Sequence, residues 1–190
     1  MTRRRSLVAL LAAALCLAPG VAQADGPVPA ASTTSAPAAL RARFEGTFLF
    51  EGGDSERRGV NRAIERAIDG MFFIAKPIAR GRLRDKNHVL GFVGFHFHGG
   101  LLTATAPLAP PIVSREDGTP VSYTTHGETM RVGQRLTPAG HLVEVFTTGD
   151  GSRTNDFYFT PDGATLMLRV TVSSARLPRD VRYLLTYRMR

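Results

Sequence analysis

The sequence predicts a mainly β fold: an antiparallel meander or up-and-down barrel of about eight to nine strands, with a helical insertion after the first strand. Three observations predict it. Apolar residues alternate with polar ones at period two near the C-terminus. Turn residues punctuate the chain beyond residue 115 about every 8–12 residues. A single stretch, 54–72, instead follows the three-four spacing of a helical face.

The N-terminus reads as a leader. Arg3, Arg4 and Arg5 precede an apolar run from Leu7 to Leu17, then Pro19-Gly20 and the small residues Ala22 and Ala24. This three-part pattern predicts a signal peptide over 1–24 and an exported protein, periplasmic or extracellular. The apolar run is shorter than the ~20 residues a spanning helix needs. Leu15 before Cys16 does not suit a lipid-attachment site, and the arginines leave ordinary and twin-arginine export open. Cys16 is the chain's one cysteine, so without its leader the chain holds none and thiol chemistry is excluded. The remainder carries twenty-one basic residues against sixteen acidic, a net +5. Residues 25–40 are Pro, Ala, Ser and Thr with almost no bulky side chain, a composition expected to stay flexible. Residues 41–190 then form one domain.

The domain opens with RARFEGTFLFEGG, where Phe44, Gly46, Phe48 and Phe50 share one parity, predicting a first strand. Val60, Ala63, Ile64, Ala67, Ile68, Met71 and Phe72 form one helical face, capped by Asp54 or Ser55. That helix ends at Gly70 or runs on to Lys76, before Pro77. PIARGRLRDKN reads equally as a short second helix or a basic connector. Strands follow. Residues 88–98 put Val89, Val93, Phe95 and Phe97 on one face and His96 and His98 on the other. Leu166, Leu168, Val170 and Val172 face inward in the clearest strand; Val181, Tyr183, Leu185, Tyr187 and Met189 match them in the last.

One strand, a helical insertion and a long meander resemble the element order of the calycins, the lipocalin and fatty-acid-binding-protein group. FEGTFLF also resembles the lipocalin opening strand, where a tryptophan follows the glycine by two residues; here Phe48 stands there. The resemblance implies a β-barrel that binds a small apolar or amphipathic, lipid-like ligand without catalysis. The family's spaced arginine–tyrosine carboxylate site is not matched, since Arg182 and Tyr183 are adjacent. The rival helix-grip fold ends in a long helix, and this chain ends in a strand pattern.

The candidate ligand cavity is lined by Phe48, Phe95, Phe97, Phe157, Tyr183 and Tyr187, although such rings also fill solid cores. A solid core would leave a protein acting through surface contacts. Residues 54–86 hold nine basic and five acidic side chains. Arg58, Arg62 and Arg66 on their polar face are candidates for contact with an anionic membrane or a protein partner. His96 and His98 sit as paired ligands of a metal site would, but no carboxylate follows them nearby, and an exposed strand face explains them as well. No cofactor fingerprint or catalytic motif is present; Ser122, His126 and Asp156 make only a notional triad. Nucleic acid is not expected as a partner. The sequence does not set an oligomeric state.

Overall fold

The computed structural model describes residues 38–190. The leader over 1–24, Cys16 included, lies outside the described residues, as do residues 25–37. A short helix α1 (Ala38–Phe44) leads into strand β1 (Gly46–Phe50). Helices α2 (Gly53–Ile68) and α3 (Ala75–Lys86) follow. Nine strands complete the chain: β2 (Phe92–His98), β3 (Leu101–Thr105), β4 (Ile112–Arg115), β5 (Val121–Thr125), β6 (Glu128–Leu136), β7 (Leu142–Thr148), β8 (Gly151–Phe159), β9 (Leu166–Ser173) and β10 (Val181–Met189).

All ten strands form one antiparallel sheet in the order β4-β3-β2-β1-β10-β9-β8-β7-β6-β5. Every neighbour is consecutive in sequence except β1 and β10, which pair Phe48 with Met189 and Phe50 with Tyr187. That single non-local pairing curls the meander into a barrel. The sheet's ends, β4 and β5, are not neighbours in the ladder, but the segment between them pairs with the end of β6. The Leu136 N–H donates to the Glu116 carbonyl at 3.1 Å and the Gly118 N–H to the Gln134 carbonyl at 2.8 Å. Gly133 permits this closure, because a Cβ there would lie 2.6 Å from the Gly118 carbonyl oxygen. The β2–β3 turn is Gly99-Gly100, both left-handed, as a tight two-residue hairpin requires.

The parity reading of the strands holds. Val93 and Phe95 are buried and Phe97 half-buried, while His96 and His98 are exposed. Leu166, Leu168, Val170, Val181, Tyr183, Leu185 and Tyr187 are all buried. Met189, expected inward, is 51% exposed; β9 pairs with β10 only as far as Tyr187, so one flank of Met189 is uncovered.

The first element differs from expectation. Phe44 ends a helix rather than beginning a strand, and α1 starts inside the stretch expected to be flexible. The helix turns Phe44 into the barrel's open end, where it packs against Phe95 and Phe159 at 6.2 and 5.1 Å between ring centroids. Arg41 of α1 fastens the plug by an ion pair with Glu116.

The opposite end is covered by α2 and α3. Helix α2 buries Val60, Ala63, Ile64, Ala67 and Ile68, as its three-four spacing requires. Neither Asp54 nor Ser55 caps it; the N-cap is Gly52, and the Ser55 hydroxyl donates to the Gly52 carbonyl at 3.1 Å. The Glu56 carboxylate instead fastens α2 to β10. It accepts the Thr186 N–H at 2.7 Å and the Thr186 hydroxyl at 2.6 Å. The helix stops at Ile68, so Phe72, expected on its buried face, is exposed. PIARGRLRDKN belongs to a true second helix. Pro77 falls in its first turn, where no backbone N–H partner is needed. Helix α3 buries no residue fully. It is tied to α2 by Arg80, whose Nε and Nη2 donate to the Glu65 carboxylate at 2.7 and 2.8 Å.

Candidate functional site

The barrel interior has two chemically distinct halves. Toward α1 it is aromatic. Phe95 lies 4.9 Å from Phe157, 6.3 Å from Phe48 and 6.2 Å from Phe44, centroid to centroid. Such tilted and edge-on contacts add about 0.5–1.5 kcal/mol per pair to the burial of the rings. The predicted cavity residues Phe48, Phe95, Phe157 and Tyr187 belong to this buried set, and Phe97 packs against its margin.

A chain of polar groups crosses the inward face from β4 through β6, β7 and β8 to the end of α3. The Ser114 hydroxyl donates to Gln134 Oε1 at 2.8 Å, and Gln134 Nε2 donates to Glu144 Oε1 at 2.8 Å. Asn155 Nδ2 donates to Glu144 Oε2 at 3.1 Å. Arg153 Nε donates to Asn155 Oδ1 at 2.8 Å, while its Nη1 reaches the Lys86 carbonyl at 3.0 Å. The Tyr183 hydroxyl donates to Asn87 Oδ1 at 3.1 Å and lies 3.4 Å from Arg153 Nη2. Ser114, Gln134, Glu144 and Asn155 are buried, so each of these bonds offsets a desolvation cost.

Burial pushes the Glu144 carboxyl above its ordinary range, against the hydrogen bonds from Asn155 and Gln134 and the charge of Arg153. Burial likewise raises the Tyr183 phenol, against the charge and hydrogen bond of Arg153. Burial raises the Tyr187 phenol too, with the neighbouring Tyr183 adding to the shift. Both tyrosines are therefore neutral hydrogen-bond donors at ordinary pH, and Tyr187 donates to the Leu90 carbonyl at 3.1 Å.

Part of the inward face stays half-open. Tyr123 on β5, Met130 on β6 and Phe146 on β7 share the inward parity and pack against the core, yet remain half-exposed. They lie beside the break between β4 and β5. The Tyr123 hydroxyl crosses this break to the Pro110 carbonyl at 2.9 Å. Lys86 at the end of α3 spans to Glu128 at 2.5 Å over the same rim. These side chains form the rim of the inward face beside that break, where a salt bridge joins helix and sheet.

The other candidates are placed elsewhere. Arg58, Arg62 and Arg66 project from the exposed face of α2, outside the barrel. The His96 ring pairs with Glu45, which also accepts the Phe97 N–H at 3.0 Å. His98 is exposed, and no cluster of three metal-ligating side chains occurs among the described residues. Asp156 is partnered by His141 at 2.7 Å and by Arg169 at 3.5 Å. His126 sits in the β5–β6 turn with a left-handed backbone.

Sequence reasoning missed Gln134, Glu144, Arg153 and Asn155. Their signal was available, because Glu144 shares the parity of Leu142 and Phe146, and Arg153 and Asn155 that of Phe157 and Phe159. A polar residue repeatedly found at core parity marks a polar interior.

Strand, helix pair and meander, with the first strand beside the last, make a ten-stranded antiparallel barrel, the element order in which the sequence resembles the calycins. No protein-family model and no curated protein matches the chain. Solved structures similar to it include a Schistosoma mansoni fatty acid binding protein in complex with arachidonic acid, at 12% identity and TM-score 0.46, over 80% of this chain and 98% of that one. Another is lipid binding protein 8 of Caenorhabditis elegans, at 6% identity and TM-score 0.48, over 78% and 96%. A third is a secretory abundant heat soluble protein of Ramazzottius varieornatus, at 10% identity and TM-score 0.49, over 78% and 96%.

Proposed function

We propose that this chain is an exported, non-catalytic binding protein whose barrel takes a small apolar or amphipathic, lipid-like ligand. The observation that carries this reading is the half-open inward face at Tyr123, Met130 and Phe146. Solvent-exposed apolar groups inside a barrel favour an apolar occupant. The ligand's tail lies against these side chains, with Phe48, Phe95, Phe97 and Phe157 beneath. Its polar end reaches the rim, where the Arg153 guanidinium lies at the end of α3. The arginine-rich start, apolar run and small residues at Ala22 and Ala24 support export.

Titration with a dansylated fatty acid and a dansylated fatty alcohol tests the binding. The expected result is saturable fluorescence enhancement, weakened about tenfold or more in a Met130→Arg variant that puts a charge onto this face. No saturable enhancement with either probe, or equal affinity in the folded variant, would overturn the reading.

A further inference from the structure

The turn between α2 and α3 carries an apolar surface that the barrel does not use. Phe72, Phe73, Ile74 and Ile78 are 68, 71, 61 and 59% exposed, consecutive but for one turn of helix. The two phenyl rings pack on each other at 4.8 Å and on no other ring among the described residues. Their exposure is built into the backbone. The Met71 N–H donates to the Ile68 carbonyl at 3.1 Å, and the Ala75 and Lys76 N–H groups donate to the Phe72 carbonyl at 2.9 and 3.2 Å. The turn therefore holds the rings outward.

Cations line the exposed face of the helix that leads to this tip. Arg66 occupies the last turn of α2, and Arg62 and Arg58 lie one and two turns behind it. All three are exposed, and none takes part in an ion pair among the described residues. Arg62 and Arg66 face Arg182 of β10 across an open groove of about 310 Å³, whose wall includes Ser55. The Glu56 carboxylate in that groove is held by the neutral donors of Thr186 and keeps its charge, and Arg182 is paired with Asp180 at 2.7 Å, so Arg62 and Arg66 leave the groove with a net positive charge.

From this juxtaposition we infer that the α2–α3 turn is a membrane-docking tip: Phe72, Phe73, Ile74 and Ile78 enter the interfacial zone of an anionic bilayer while Arg58, Arg62 and Arg66 meet its phosphates. Aromatic and aliphatic side chains backed by arginines match the headgroup–acyl boundary. The charge selects this occupant over a second copy of the chain, because residues 54–86 carry a net +4 and two such surfaces repel. No helix among the described residues is long and apolar enough to cross a membrane, and the tip asks only for shallow insertion. The inference concerns the outer surface and is independent of what the barrel contains.

The test is co-sedimentation of the full chain lacking residues 1–24 with phosphatidylglycerol–phosphatidylcholine vesicles, and with phosphatidylcholine vesicles alone. Binding is expected to the anionic vesicles and to fall steeply with salt. A Phe72→Ser, Phe73→Ser variant should lose about tenfold or more in affinity, and an Arg62→Gln, Arg66→Gln variant a similar amount together with its salt dependence. Circular dichroism melts matching the parent chain show that both variants are folded. Equal binding to neutral vesicles, undiminished binding by the serine variant, or no binding by the parent chain would overturn the inference. So would gel filtration showing that Phe72 and Phe73 are covered in a dimer.

Discussion

The two ends of the barrel are closed by aromatic-bearing helical segments that behave in opposite ways. At one end α1 drives Phe44 inward until it is fully buried against Phe95 and Phe159. At the other, α2 seals the barrel with small aliphatics, and the turn beyond it holds Phe72 and Phe73 out in solvent. The same residue type thus serves as a plug where the backbone turns it in, and as an outward contact where a helix stops one turn early. One end is therefore anchored by a buried ring, while the other leaves its rings free of the core. Near the end covered by α2 and α3 lie the half-exposed Tyr123 and Met130 and the polar contacts of Arg153 and Tyr183.

The comparison predicts unequal costs, measured by denaturant unfolding. Phe44→Ala should cost about 3–5 kcal/mol, since it empties a buried ring site. Phe72→Ser with Phe73→Ser should stay within about 0.5 kcal/mol of the parent, because neither ring is buried. Similar losses for the two would erase the distinction between plug and contact.

Glu56→Ala should cost about 1–3 kcal/mol, because two donors on Thr186 lose a carboxylate acceptor where α2 meets β10. Helix amides near the barrel rim should then exchange faster, while those of α1 should not. Equal acceleration at both ends would show that the helix pair and the plug unfold as one unit.

Glu144 sharpens the contrast between the aromatic and polar halves. Its carboxyl titrates higher in the folded protein than its ordinary 4.5, because burial disfavours the anion. The native state therefore holds this proton more tightly than the unfolded state. Its contribution to stability is greatest below the ordinary value and declines as pH rises through the raised one. A Glu144→Gln variant should flatten that decline in melts between acid and neutral pH, whatever its absolute stability. An unchanged slope would remove Glu144 as its source.

The smallest effect belongs to the exposed helix pair: Glu65→Ala should cost under about 1 kcal/mol, since its ion pairs with Arg80 and Arg84 are solvated.

Much of this contrast was written in period and parity. Period two placed Val93, Phe95, Leu168 and Tyr183 inward, because a strand has only two faces and one was greasy. The three-four spacing fixed α2 for the same reason. Phe44 and Phe72 were misplaced because each lies at the boundary of an element, where one turn more or less of helix reverses a side chain's direction. The role of Phe44 as a plug depends on a contact with Phe159, more than a hundred residues away, which no local pattern encodes. The polar interior was legible in the parity of Gln134, Glu144 and Asn155, but its bonding across β4, β6, β7 and β8 required the register.

The most direct measurement is a native mass spectrum of the chain purified under non-denaturing conditions, compared with the same sample after denaturing extraction. The expected result is a complex heavier than the polypeptide by one lipid-like molecule, released on unfolding and absent from the Met130→Arg variant. A bare polypeptide mass, still bare after incubation with fatty acids and fatty alcohols, would contradict it.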